Sequence, residues 1–150
     1  MKKTILLLLF TLISALSYGQ KALFDRYDDA DKVTTVYISR SMMQLMGDVK
    51  VGDKDISKIA SRLDYLRILS CERSSLIPSI IRTAQTIYKT QKYNVAMKVK
   101  NNGEQVTIYE KKYGNGKHEY SLLSIEKGEV AIINLMGNVT LRDIQSLAHH

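Results

Sequence analysis

The chain has 150 residues, with one Cys, one Pro, no Trp, 45% apolar residues and a formal charge of +7 at pH 7. These proportions suit a single folded domain and exclude a wholly disordered or fibrous chain. A lone cysteine also excludes a disulfide framework, a zinc ribbon and an iron–sulfur centre.

Residues 1–19 read as a secretory signal peptide. Lys2 and Lys3 make a positive start, Ile5 to Ile13 is apolar apart from Thr11, and Ser17-Tyr18-Gly19 ends in a small residue before Gln20. The greasy run is too short to span about 30 Å of hydrocarbon comfortably. Cleavage would lower the formal charge from +7 to +5 by removing Lys2 and Lys3. No cysteine near the cut could carry a lipid. The expected location is periplasmic or secreted, with residues 20–150 as one α+β domain that does not span the membrane after cleavage. In an oxidising compartment the lone Cys71 has no internal partner, so burial as a small apolar residue is expected.

Ala22–Tyr27 suggests a short helix, followed by the acidic residues Asp28, Asp29 and Asp31. Val33–Ser39 is β-branched and alternating, as in a strand. Ser41–Met46 reads as a helical turn stopped by Gly47. Asp55 is placed to cap a helix carrying Ile56, Ile59, Ala60 and Leu63. Tyr65–Cys71 is a second strand. The strongest helix follows, with Ser74 or Ser75 as cap and Pro78 in the first turn. Its apolar stripe of Leu76, Ile77, Ile80, Ile81, Ala84, Ile87 and Tyr88 calls for a sheet beneath it.

Asn102-Gly103, Asn115-Gly116 and Lys127-Gly128 read as two-residue hairpin turns joining four strands. The first turn sets Val99 opposite Val106 and Met97 opposite Ile108. The second sets Ile108 opposite Leu123 and Val106 opposite Ile125. The third sets Ile125 opposite Val130 and Leu123 opposite Ile132. One face is then apolar on every strand. The other face carries Lys98, Lys100, Thr107 and Tyr109, then Tyr120, Leu122, Ile133 and Leu135. An apolar patch of that kind must be covered. The C-terminal helix, opened by a capping-box-like Thr140 and Asp143, is the nearest cover within the chain. If it docks elsewhere, another envelope protein or a second copy would cover the patch.

The fold expected is α+β: helices packed on a sheet with a C-terminal four-stranded antiparallel meander and a short C-terminal helix. The function expected is a non-enzymatic binding or regulatory module, with Tyr109, Tyr120, Leu122, Ile133 and Leu135 as partner-binding residues. No catalytic residue, cofactor or metal ligand is singled out. The acidic run Asp25 to Asp31 lacks the Gly and distal Glu of a calcium loop and reads as a solvated turn. Cys71 has no histidine nearby in sequence, since His118 flanks a hairpin tip and His149 and His150 end the chain.

Two alternatives remain. A small hydrolase or ligand carrier would use the Asp28–Asp31 and Asp48–Asp55 loops. A salt-sensitive binder of anionic envelope polymers would use Lys98, Lys100 and Lys111. Those lysines beside Tyr109 could also hold single-stranded nucleic acid. An exported protein meets little of it, so no nucleic-acid partner is expected, and the lysines read as a charged edge that discourages aggregation. Met42, Met43 and Met46 suit core filling or, less simply, an adaptable groove.

Three segments carry a family resemblance. They are Phe24-Asp25-Arg26-Tyr27 leading into Val33–Ser39, then Val106-Thr107-Ile108-Tyr109, then Met136-Gly137-Asn138-Val139-Thr140-Leu141-Arg142-Asp143-Ile144. Together they resemble domain-of-unknown-function family 4252, short exported proteins of gram-negative bacteria. The resemblance implies an exported single-domain α+β protein and supplies no reaction or site residues. Lys32 stands where it leads one to expect a glycine, and the cysteine of its lipoprotein members is absent.

Overall fold

The computed structural model describes residues 19–51 and 54–148. The expected signal peptide lies outside them, except that Gly19 begins the first helix. The elements in chain order are α1 (Gly19–Tyr27), β1 (Val33–Ser39), α2 (Arg40–Met46), β2 (Lys50–Val51), β3 (Lys54–Asp55), α3 (Ser57–Ala60), β4 (Leu63–Cys71), α4 (Ile77–Thr90), β5 (Asn94–Asn101), β6 (Glu104–Lys112), β7 (His118–Glu126), β8 (Glu129–Gly137) and α5 (Leu141–Ala148). The fold is α+β, and its main sheet is larger than the expected meander. Six strands run in the order β1-β4-β8-β7-β6-β5, with every neighbouring pair antiparallel. The two early strands join the meander beside β8, so β1 and β5 form the two edges.

Two of the three hairpin registers follow the turn chemistry. Val99 faces Val106, and Leu123 faces Ile132. The middle one is displaced by one residue. Ile108 faces Leu122, Val106 faces Ser124, and Leu123 faces Thr107. The cause is local. Tyr113 N–H donates to the Lys117 carbonyl at 2.9 Å, enclosing a three-residue loop, Gly114-Asn115-Gly116. Gly116 holds φ +78°, the left-handed position that such a loop requires.

That shift moves every side chain of β7 and β8 to the opposite face relative to β5 and β6. Ile108 now shares a face with Tyr120, Leu122, Ile133 and Leu135. Tyr109 shares the other with Leu123 and Ile132. The sheet tolerates this because helices cover both faces. On one, Ile108, Tyr120, Leu122, Leu135 and Leu66 pack with Met43 of α2, Ile59 and Ala60 of α3, and Ile144 of α5. On the other, Leu69, Cys71, Leu123, Val130 and Ile132 pack beneath Leu23, Phe24 and Tyr27 of α1 and Ile80, Ala84 and Tyr88 of α4. These are called the α5 face and the α4 face below.

The helix ends differ from expectation in detail. Ser74 and Ser75 do not cap α4. Leu76 takes the N-cap position, and the Arg73 carbonyl accepts from the Leu76 and Ile77 N–H groups at 2.9 and 3.2 Å. The helix expected after Asp55 is a single turn, because Leu63 already begins β4. The box at α5 forms with an aspartate. Thr140 N–H donates to Asp143 Oδ2 at 2.8 Å, and Asp143 N–H donates to Thr140 Oγ1 at 3.4 Å.

Gly137 closes the join between the two halves of the sheet. The β4–β8 register shifts between Leu63 and Tyr65, pushing the β4 backbone toward β8. A Cβ at position 137 would lie 2.2 Å from the Arg62 carbonyl oxygen and 2.8 Å from Leu63 Cα. Only glycine fits that approach.

Candidate functional site: an open sheet edge

The residues expected to meet a partner are core. Tyr120, Leu122 and Leu135 are buried, and Ile133 is half-buried beside them in the cluster under α5. The expected cover within the chain is therefore present, with Ile144 and Leu141 of α5 joined by α2 and α3. Tyr109 lies on the α4 face, apart from Tyr120, stacked on the Tyr88 ring at 3.9 Å between centroids. These side chains make no open patch, because α2, α3 and α5 cover the first four and α4 covers Tyr109, which the register shift sets on the opposite face.

The other candidate groups also separate. Asp28 lies on the α4 face, where Thr35 donates a hydrogen bond to it. Asp55 lies beside Ile56, which packs into the α5-face core, and Asp55 Oδ1 accepts from Ser57 N–H at 2.9 Å. The two acidic loops therefore do not converge. Among the described residues, no group of three or more His, Cys, Asp or Glu is placed to hold a metal ion. Cys71 pairs with Val130 at one end of the sheet and His118 with Gly137 at the other. Seven residues along β8 separate them by about 23 Å. His149 and His150 lie outside the described residues.

Lys98 and Lys100 are exposed on β5, a sheet edge, as expected of a charged border. Lys111 shares their face, but its ammonium lies over the Tyr93 and Tyr113 rings at 5.5 and 5.8 Å.

A buried polar cluster on the α4 face was not expected from the sequence. Glu119, 4% exposed, accepts hydrogen bonds from Tyr65 Oη at 3.0 Å, Tyr113 Oη at 3.3 Å, Tyr93 Oη, and Asn134 Nδ2 at 3.3 Å. Burial, reinforced by the Glu119 charge, pushes the Tyr113 hydroxyl up to about 12 and raises Tyr65 and Tyr93 further. The donors come from β4, β8 and the segments after α4 and β6, so no local spacing announces them. The cluster ties these segments together and keeps its hydroxyls protonated.

What remains open is the β1 edge. Its residues, Val33-Thr34-Thr35-Val36-Tyr37-Ile38-Ser39, include no charge, Pro or Gly. Val36 is 39% exposed and Tyr37 62% exposed. Ser39 caps α2 by accepting from Met42 N–H at 3.3 Å, which turns the chain onto the α5 face. There only Met43 enters the core. Met42, Leu45 and Met46 stay exposed, Leu45 at 82%, so the methionines divide between core filling and surface.

On the α4 face the same edge borders a groove of about 480 Å³. Phe24, Asp25 and Asp28 form its α1 side, and Thr35, Tyr37 and Arg67 form its sheet side. The Arg67 guanidinium lies over the Tyr37 ring at 5.5 Å and the Tyr65 ring at 4.4 Å. The edge thus combines backbone groups with no strand beside them among the described residues, an apolar helix on one face and a polar, aromatic groove on the other. That combination can take up an extended strand by backbone pairing, with side chains entering both flanks.

A family model described as "Domain of unknown function (DUF4252)" matches residues 27–147. No curated protein and no solved structure matches the chain. The matched span runs from Tyr27 through the open edge and all six strands to α5, and on that span the chain belongs to the DUF4252 family.

Proposed function

We propose that this protein is a non-enzymatic binding module working outside the cytoplasm, and that it binds through the β1 edge. The observation that carries this reading is the uncharged seven-residue edge strand with Val36, Tyr37, Met42, Leu45 and Met46 exposed around it. Unprotected edges of this kind are uncommon, because free strand edges template unwanted pairing. The leader-like residues 1–19 support export. Among the described residues, no helix is long and apolar enough to cross a membrane.

The test uses protein expressed from the full sequence and a variant carrying Val36→Lys and Tyr37→Glu. Both are immobilised and exposed to envelope extract. Retention of a component by the native protein alone, with matching unfolding transitions, supports the reading. Identical retention by both overturns the edge as the binding site. Recovery of the shortened chain outside the cytoplasm supports the localisation, and the intact precursor in the cytosol overturns it.

The polymer-binding alternative keeps Lys98 and Lys100, which are exposed on the opposite edge. It requires retention on an anionic column that falls steeply with salt and disappears when both lysines become Gln.

A further inference from the structure

We infer that the strand received by the β1 edge is the β1 of a second copy of this chain, joined about a two-fold axis through Val36. This inference rests on reading the β1 edge as a binding surface, and it names the occupant.

The register is set by the strand itself. Two copies of Val33–Ser39 in antiparallel order leave no residue unpaired when Val36 faces Val36. Thr35 then faces the second copy's Tyr37, Thr34 its Ile38 and Val33 its Ser39. β-Branched and aromatic side chains make favourable cross-strand pairs, and no like charges meet along the strand.

The two-fold axis also matches the ends. β1 begins beside the acidic residues Asp28, Asp29 and Asp31 and ends at Arg40. Antiparallel pairing sets Arg40, which pairs with Asp64 of its own chain at 3.5 Å, opposite the second copy's Lys32 and beside its Asp28, Asp29 and Asp31, so that it meets a turn whose three acids and one lysine leave it net negative. On the α5 face, the Val36 pair and the flanking Ile38 side chains would continue the core cluster that already includes Ile38.

The assembly is closed. Pairing the two β1 strands makes a twelve-stranded sheet whose outer edges are both β5. Each β5 carries Lys98 and Lys100 and a register shift between Val95 and Met97, both of which blunt an edge. Isologous pairing of this type stops at two copies.

The experiment is a mass measurement by light scattering on protein expressed from the full sequence, from about 1 to 100 µM, spanning the range where a micromolar dimer dissociates. The expected result is twice the chain mass for the native protein. Val36→Lys should give a single chain, and Val95→Lys on the exposed part of β5 should leave the mass doubled.

Disulfide trapping fixes the register. Val36→Cys places two thiols on directly opposed residues, about 5 Å apart at Cα, and should give a covalent dimer on mild oxidation. Thr34→Cys sets them about 13 Å apart along the strands, too far for a disulfide, and should stay single. A single chain throughout the concentration range overturns the inference, as does a dimer that survives Val36→Lys or traps equally through Thr34→Cys. If the native protein is single-chained yet retains an extract component that the edge variant loses, the second copy is wrong and the binding reading stands. If it is single-chained and retains nothing through that edge, both fall.

Discussion

The two edges of the sheet are built to opposite rules. β5 alternates Lys98 and Lys100 with apolar residues and breaks its register between Val95 and Met97. β1 has neither charge nor bulge along Val33–Ser39, and its pairing with β4 is regular throughout. One edge repels further strands and the other is ready to accept one. That contrast, more than any reactive group, is the basis of the proposed binding role.

The comparison can be broken most forcefully at the join that holds β1 and β4 to the meander. Gly137→Ala puts a methyl group into the Arg62 and Leu63 backbone, which no side-chain rearrangement relieves. A loss of more than about 4 kcal/mol is expected, enough to threaten folding, and denaturant unfolding measures it.

The next largest effect belongs to the buried carboxylate. Glu119→Ala leaves three tyrosine hydroxyls without their acceptor, while Asn134 Nδ2 keeps only the Tyr120 carbonyl at 3.2 Å. About 3 kcal/mol should be lost, with less for Glu119→Gln. The same cluster sets an alkaline limit. Tyr113 is raised from 10.0 to about 12 by burial and then by Glu119, so the unfolded chain ionises first. Stability present below pH 10 should fall as pH climbs toward 12, and absorbance-monitored titration of unfolding should show this slope flattened in Tyr113→Phe.

Smaller changes sharpen the contrast without dismantling it. Asp143→Ala removes the α5 cap and its 3.2 Å pairing with Arg62, for about 1 kcal/mol. The Thr140 backbone N–H, then Arg62, hold the Asp143 carboxyl below its usual 3.8. Its contribution is therefore present above that value and lost as pH falls through the lowered one. Thermal melts of native and variant protein should converge in acid.

Lys32 leads into β1 with φ +58° in place of the glycine expected from the resemblance. Lys32→Gly should add about 0.5 to 1 kcal/mol by relieving the left-handed strain, measured by melting. Lys98→Val with Lys100→Val should change stability by no more than about 0.5 kcal/mol. It strips β5 of its charges, so light scattering should detect assemblies beyond those of the native protein. Unchanged size would show that the lysines are not what protects that edge.

The local features were readable because each depends on neighbours in the chain. Val33–Ser39 alternates as a strand, Asn102-Gly103 and Lys127-Gly128 set their hairpins, and Thr140 with Asp143 opens α5. The candidate site was read less well. Tyr120, Leu122 and Leu135 were rightly seen to need cover, but the cover is intramolecular. Asn115-Gly116 is compatible with a two- or a three-residue loop, and in a sheet covered on both faces neither choice exposes an apolar row.

By itself, then, the amino-acid order determined which stretches extend, coil or turn, and which edge residues carry charge, because those preferences act within a few residues. Tertiary structure alone decided that β4 pairs with β8, that Glu119 gathers hydroxyls from several segments, and that β1 lies at the border of the six-stranded sheet, with no strand on its outer side among the described residues. The β4–β8 pairing and the Tyr65–Glu119 hydrogen bond join residues more than 50 positions apart, and many alternative foldings of the same local elements could have arranged such contacts differently.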